Sequence, residues 1–243
     1  MVAVRIEARM ELDGILFDKD GTLFDFGATW NIWAADLIHE LADGNAGVAQ
    51  RIALAADFDL VREEFHPSSP IIAGTNREAA ECIARALPDR DVEELESLMT
   101  LRAAAAPLAP PVDLGPFLDG LLARGLKLGV MTNDSEYAAR AHLNSAGILQ
   151  RFLYIAGFDS GHGAKPAPGP LLAFARLLDL RPDRVAMVGD STHDLIAGRA
   201  AGMATIAVLT GPARAEELAP FADVVLPDIG HIPDWLGRET VPQ

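Results

Sequence analysis

Hydrophobic residues follow two patterns along this chain, and the change from one to the other divides it. Short apolar runs that stop abruptly at polar residues occur at 12–18, 127–132, 152–156, 184–188, 204–209 and 223–226. Each reads as a short buried strand entering a turn. Between them, apolar residues spaced three and four apart predict helices over 115–124, 136–146, 169–178 and 194–201. Strands alternating with helices predict an α/β fold with a doubly wound, mostly parallel sheet.

From Thr29 to Leu101 only the helical pattern persists. Trp30, Trp33, Ala34, Leu37, Ile38 and Leu41 set a helix over 30–41, and further helices are predicted over 48–58, 76–87 and 92–106. No strand is predicted among them. Pro67 and Pro70 mark a loop at 65–70. The segment is bounded by Phe26-Gly27 and by the proline-rich stretch 107–111, where linkers tend to fall. The expectation is a helical domain, 27–106, inserted into an α/β domain made of 1–26 and 107–243. The tail from Asp228 is weakly patterned, and nothing in the pattern specifies an oligomeric state.

Candidate chemistry centres on the run GILFDKDGTLFD, residues 14–25. Asp18 and Asp20, two apart at a strand end, point to the same side. Like charges that close call for a cation, a shared proton or water. A carboxylate cluster suits a hard ion such as Mg2+. The plain alternative is a pair of solvated turn residues. Three later segments bear on the choice: Val130-Met131-Thr132-Asn133-Asp134, Gly163-Ala164-Lys165-Pro166 and Val188-Gly189-Asp190-Ser191-Thr192-His193-Asp194. Ligands of open α/β sheets bind beyond the carboxyl ends of the strands, so these polar sets are able to meet there.

In this order, DKDGTL, Thr-Asn after a strand, Lys-Pro and GDSTHD resemble the four motifs of the haloacid dehalogenase-like phosphohydrolases. The resemblance runs from about Leu12 to Leu226, and the position of the insert is similar to the phosphoglycolate phosphatase-like branch. It implies that the insert is an α-helical cap over the site. It also implies an Mg2+-dependent phosphatase acting on a small phosphorylated metabolite, of the phosphoglycolate or sugar-phosphate type, through an aspartyl-phosphate. Asp18 would be the nucleophile, and Asp20 the acid that protonates the leaving alcohol and then activates water. The metal ligands would be Asp18, the backbone carbonyl of Asp20, and Asp190, with Asp194 holding a metal-bound water, steadying the loop or simply starting a helix. Thr132, Asn133, Lys165 and the turn at Gly21 would hold the phosphoryl oxygens. Lys19 stands where family members more often carry an apolar residue. It should face away from the aspartates, with little effect on the chemistry.

Other candidates have ordinary readings. Lys165 is one of only three lysines, beside seventeen arginines, so general lysine usage does not explain it. Arg62, His66, Asn76 and Arg77 are within the insert and read as surface or structural residues before substrate contacts. Trp30 and Trp33 read as core, and His193 as exposed.

Composition narrows the function. Half of the 243 residues are hydrophobic, which is enough for a sizeable core. The net charge of −15 argues against nucleic-acid or membrane partners recruited by bulk charge. The lone Cys82, in a helical apolar pattern, reads as core and points to a reducing compartment. The N-terminus lacks the continuous apolar region of a signal peptide, so a cytoplasmic protein is expected. A phosphomutase of similar layout and a non-catalytic phosphate-binding homologue are the alternatives. Signalling receiver domains fit less well, because the candidate nucleophile here is itself one of the acidic pair. The insert contains no lysine for a phosphonate-cleaving Schiff base.

Overall fold

The computed structural model describes residues 11–66, 68–72 and 74–237. The expected absence of a signal peptide falls on the first ten residues, and part of the expected 65–70 loop falls on Pro67. Both lie outside the described residues.

The described residues begin with strand β1 (Gly14–Phe17) and pass into helices α1 (Ile32–Ala42) and α2 (Ala46–Ala56). Short strands β2 (Phe58–Asp59) and β3 (Glu64–Phe65) follow, then helices α3 (Asn76–Ala84) and α4 (Val92–Ala103). Alternation then resumes with α5 (Leu114–Ala123), β4 (Lys127–Met131), α6 (Glu136–Ser145), β5 (Tyr154–Ala156) and α7 (Gly169–Leu177). It continues through β6 (Val185–Gly189), α8 (Thr192–Ala201), β7 (Ala204–Val208), α9 (Ala215–Leu218), β8 (Val224–Leu226) and α10 (Ile232–Gly237).

Six strands form one sheet in the order β5-β4-β1-β6-β7-β8, and every neighbouring pair is parallel. Side chains alternate across it. Ile15, Phe17, Leu128, Val130, Ala186 and Val188 pack on one face with α5, α6 and α10. Leu16, Met131, Val185 and Met187 pack on the other with α7 and α8. The chain winds outward from β1 to β4 and β5, then returns to β6 on the other side of β1. The carboxyl ends of β1, β4 and β6 are therefore neighbours at the reversal, the place where doubly wound sheets bind ligands.

Residues of the insert build a separate apolar cluster around Leu37, Ile38, Ile52, Phe58, Ile83, Leu95 and Met99. The helix starts are well specified. Asn45 and Asp91 accept backbone N–H groups at α2 and α4, and Thr75 forms a capping box with Glu78 at α3. Cys82 is buried, and its thiol donates to the Ala55 carbonyl.

One expectation needs correcting. The insert is not wholly helical: β2 and β3 form an antiparallel hairpin in which Phe58 pairs with Phe65, ring centroids 5.0 Å apart. Two residues per strand are too few to show a period of two in the sequence. The tail, weakly patterned in sequence, nevertheless forms a helix. Asp228 accepts from the Gly230 N–H and α10 follows, with Ile229 and Ile232 buried against the core. No helix among the described residues is long and apolar enough to cross a membrane.

Candidate active site

Asp18 stands one residue beyond β1, with its N–H still bonded to the Val188 carbonyl of β6 at 2.8 Å. Asp190 follows β6 directly. Asp194 is in the first turn of α8, where it and Ser191 cap the helix reciprocally. Oxygens of Asp18, Asp190 and Asp194 all lie within 4.8 Å of one another, and all three residues are buried. This geometry and donor set fit a hard divalent cation.

Lys165 reaches into the same place. Its ammonium donates to Asp18 Oδ1 at 2.7 Å, to Asp194 Oδ1 at 2.6 Å and to the Met131 carbonyl at 3.0 Å. The loop that carries it is pinned by Asn133. The Lys165 N–H donates to Asn133 Oδ1, and Asn133 Nδ2 donates to the Lys165 carbonyl, both at 2.9 Å.

The charges are strongly coupled. Burial pushes the Asp18 carboxyl up to about 7 against the pull of Lys165, with Asp194 and Asp20 adding to the rise. Burial also raises Asp190 well above the carboxylate range, helped by Asp18 and Asp194. Burial disfavours the charged form of Lys165, but Asp18 and Asp194 outweigh it and hold the ammonium protonated. Once ionised, three acids around one lysine leave an excess of buried negative charge, which a cation would neutralise.

Two glycines make the approach possible. Gly21 has φ +76°, and a Cβ there would lie 2.2 Å from Asp190 Oδ2. A Cβ on Gly211 would lie 1.6 Å from the same oxygen. Gly211 is in the loop after β7, and the neighbouring Thr210 donates its hydroxyl to the Gly21 carbonyl at 2.6 Å. Two loops thus close on Asp190 from different parts of the chain.

A model of the haloacid dehalogenase-like hydrolases matches residues 12–202. The chain belongs to that family. A phosphoglycolate phosphatase of Rhodospirillum rubrum is 37% identical over 120 residues, which is 49% of this chain and about half the length of that relative, 50%. The N-acetylmuramic acid 6-phosphate phosphatase of Pseudomonas aeruginosa is 30% identical over 235 residues, covering 95% of this chain and 97% of that one. Among solved structures, CbbY from Rhodobacter sphaeroides in complex with phosphate superposes with TM-score 0.67 at 24% identity, covering 91% of this chain and 96% of that chain. This last likeness speaks to the fold.

Within this family member, Lys19 departs from expectation. It lies two residues beyond β1, and its long side chain is wholly buried. Its ammonium lies 2.9 Å from Asp20 Oδ2, 3.0 Å from Asp134 Oδ2 and 3.0 Å from His142 Nδ1. All three donors are used. Burial opposes its charge, and Asp20 and Asp134 more than compensate, so it stays protonated. Burial and the Lys19 charge both lower His142, keeping the imidazole neutral. Nδ1 then accepts from Lys19, and Nε2–H donates to the Ala103 carbonyl of α4 at 2.6 Å. The ammonium also sits 5.2 Å from the ring centroid of Trp30. Lys19 therefore joins Asp20 to both ends of the insert. Thr132 completes the ring, accepting from the Asp134 N–H at 3.1 Å and lying 3.5 Å from Asp20 Oδ2.

Asp18, Asp20, Thr132, Asn133, Lys165 and Asp190 line a single cavity. Trp30, Trp33, Asn76 and His193 line it too. Trp33 is buried in the apolar cluster of the insert, so it is core and cavity wall at once. Arg62, His66 and Arg77 are not among the described lining residues. Arg62 pairs with Glu64, Arg77 pairs with Glu81 and Glu96, and His66 is exposed. The Gly21 N–H, expected to face a phosphoryl group, donates instead to the Phe24 carbonyl at 2.7 Å. The contacts of Lys19, Asp134, His142 and Gly211 were missed. Only Lys19 carried a sequence signal, as a charge set between the two aspartates of the first motif.

Proposed function

We propose that this protein hydrolyses monophosphate esters of a small metabolite, with Asp18 as nucleophile and Asp20 as acid and then base. The reading rests on one observation: Asp18, Lys165 and Asp190 come together beyond the carboxyl ends of adjacent strands, with Asp20 and Thr132 beside them in the same cavity. A carboxylate of Asp18 attacks phosphorus as the ester oxygen leaves, and Asp20 passes that oxygen its proton. Water, deprotonated by Asp20, then opens the aspartyl-phosphate and releases inorganic phosphate. Lys165 and the Thr132 hydroxyl face the oxygens on which charge collects. Lys19 holds the Asp20 carboxylate in place between the two steps.

Asp18, Asp190 and the Asp20 carbonyl, with Asp194 behind them, are the residues that would hold Mg2+. When bound, Mg2+ offsets repulsion between the Asp18 carboxylate and the phosphoryl oxygens. Residues 27–106 serve as the cap and form the upper wall of the cavity. The direct test is turnover of p-nitrophenyl phosphate with Mg2+ and with EDTA, for the wild type and for Asp18→Asn. Metal-dependent turnover that Asp18→Asn abolishes is the expected result. Near-normal turnover in Asp18→Asn removes the covalent mechanism.

A further inference from the structure

The two sides of the cavity differ in character. The core side carries the acids and Lys165 described above. The cap side is built mainly from Phe26, Trp30, Trp33, Phe65, Ile72 and Met99. No Lys, Arg or His occurs on the cap side among the described lining residues. Thr75 and Asn76, two of its polar members, are committed to partners within the insert. The Thr75 hydroxyl accepts from the Glu78 N–H and lies 3.0 Å from Glu78 Oε2. Asn76 Nδ2 donates to Thr100 Oγ1 at 2.6 Å and to the Glu96 carbonyl at 3.2 Å. The arginines of the α3 and hairpin region are held outside, in ion pairs with glutamates. On the core side, the Lys165 ammonium is already shared between Asp18 and Asp194.

An alcohol group lying beyond the phosphate would sit against this apolar, aromatic wall. A carboxylate there would be taken out of water with no cation on that wall to pair with. It would also lie close to the acids of the site, in a protein whose net charge is −15. An uncharged ring with an apolar face meets neither cost and gains contact with the Trp30, Trp33 and Phe65 side chains.

We propose that the cavity takes monophosphate esters whose alcohol is uncharged and presents an apolar ring face, and turns away esters whose alcohol carries a carboxylate. This rests on the phosphatase reading above and names its substrate class. The sources of such a ring are an aryl alcohol or a sugar.

The test compares kcat/KM for 2-phosphoglycolate, its carboxamide analogue, benzyl phosphate and a hexose 6-phosphate, all with Mg2+. All four are esters of primary alcohols, so the leaving oxygens are chemically alike. The carboxamide is expected to exceed phosphoglycolate by about tenfold or more, the effect of one unpaired charge. At least one ring ester should exceed both, and the better of the two identifies the source. Ile72→Arg places a cation on the cap wall and should move the carboxamide-to-phosphoglycolate ratio about tenfold toward phosphoglycolate. A ratio measured on one preparation does not depend on how much of the variant folds. Phosphoglycolate turned over as well as its carboxamide overturns the inference, as does an Ile72→Arg ratio equal to that of the wild type. If p-nitrophenyl phosphate is cleaved while phosphoglycolate wins, only this inference fails. If no ester is cleaved, the phosphatase reading fails with it.

Discussion

Lys19→Met removes the buried ammonium behind Asp20 while keeping an unbranched side chain of similar length. Lys19 is wholly buried, and its three donors go to Asp20, Asp134 and His142. Taking one partner from a buried ion pair costs about 3–5 kcal/mol. Asp20 and Asp134 side chains are 15% and 9% exposed, so water at the cavity edge recovers part of this. A loss of about 3 kcal/mol is the working figure. That lowers the melting temperature by about 6–12 °C in a chain of this size. The kinetic effect should depend on the leaving group. General acid catalysis is worth about 10²–10⁴-fold, and a misplaced Asp20 forfeits part of it. For an alkyl phosphate, whose leaving oxygen needs a proton, kcat should fall by about 10- to 100-fold. For p-nitrophenyl phosphate, whose leaving group departs as a stable anion, only the later water step calls on Asp20, so the fall should be smaller by about threefold or more. The assay is the ratio of the two kcat values, with Asp20→Asn as reference. An equal fall for both esters removes Lys19 from the protonation of the leaving group. If Asp20→Asn itself shows no dependence on leaving group, the assignment of Asp20 as the acid is at fault instead.

Asp18→Asn should cut turnover by about 10⁴-fold or more, as loss of a nucleophile does, and leave the circular dichroism spectrum unchanged. The Asp18 carboxyl, raised to about 7 in the fold, binds a proton between pH 4 and pH 7 that the unfolded chain has released. Its contribution to stability is therefore present at low pH and lost as pH rises through 7. The metal-free protein should melt lower at pH 8 than at pH 5, and Mg2+ should raise the melting temperature more at pH 8, by differential scanning fluorimetry; a metal-free melting point that climbs from pH 5 to pH 8 contradicts the charge excess. Gly211→Ala would set a methyl group 1.6 Å from Asp190 Oδ2, so Asp190 must shift. The Mg2+ concentration for half-maximal rate should rise by about 10–100-fold, read from metal titrations at saturating ester.

The order of elements, the parallel sheet and the helical character of the insert were legible in the sequence. Each depends on local periodicity repeated over several residues, and burial of one face enforces that periodicity. Asp18, Asp20, Thr132, Lys165 and Asp190 were legible for a related reason. All but Lys165 stand at or near the end of an apolar run, and parallel strands bring such ends to one rim; Lys165, in the loop between β5 and α7, was legible from its Lys-Pro motif. The β2–β3 hairpin was not legible, because two residues per strand cannot show alternation and only the Phe58–Phe65 contact across the turn makes it a hairpin. Nor was the fate of Lys19. Alternation suggests that it faces away from the aspartates, but a local pattern does not say where the ammonium finds partners. Asp134 and His142, more than a hundred residues away, together with Trp30, provide the pocket that folds the ammonium back onto Asp20. A Cβ direction is a local property of the backbone, whereas the end of a long charged side chain goes wherever the assembled chain supplies partners for it.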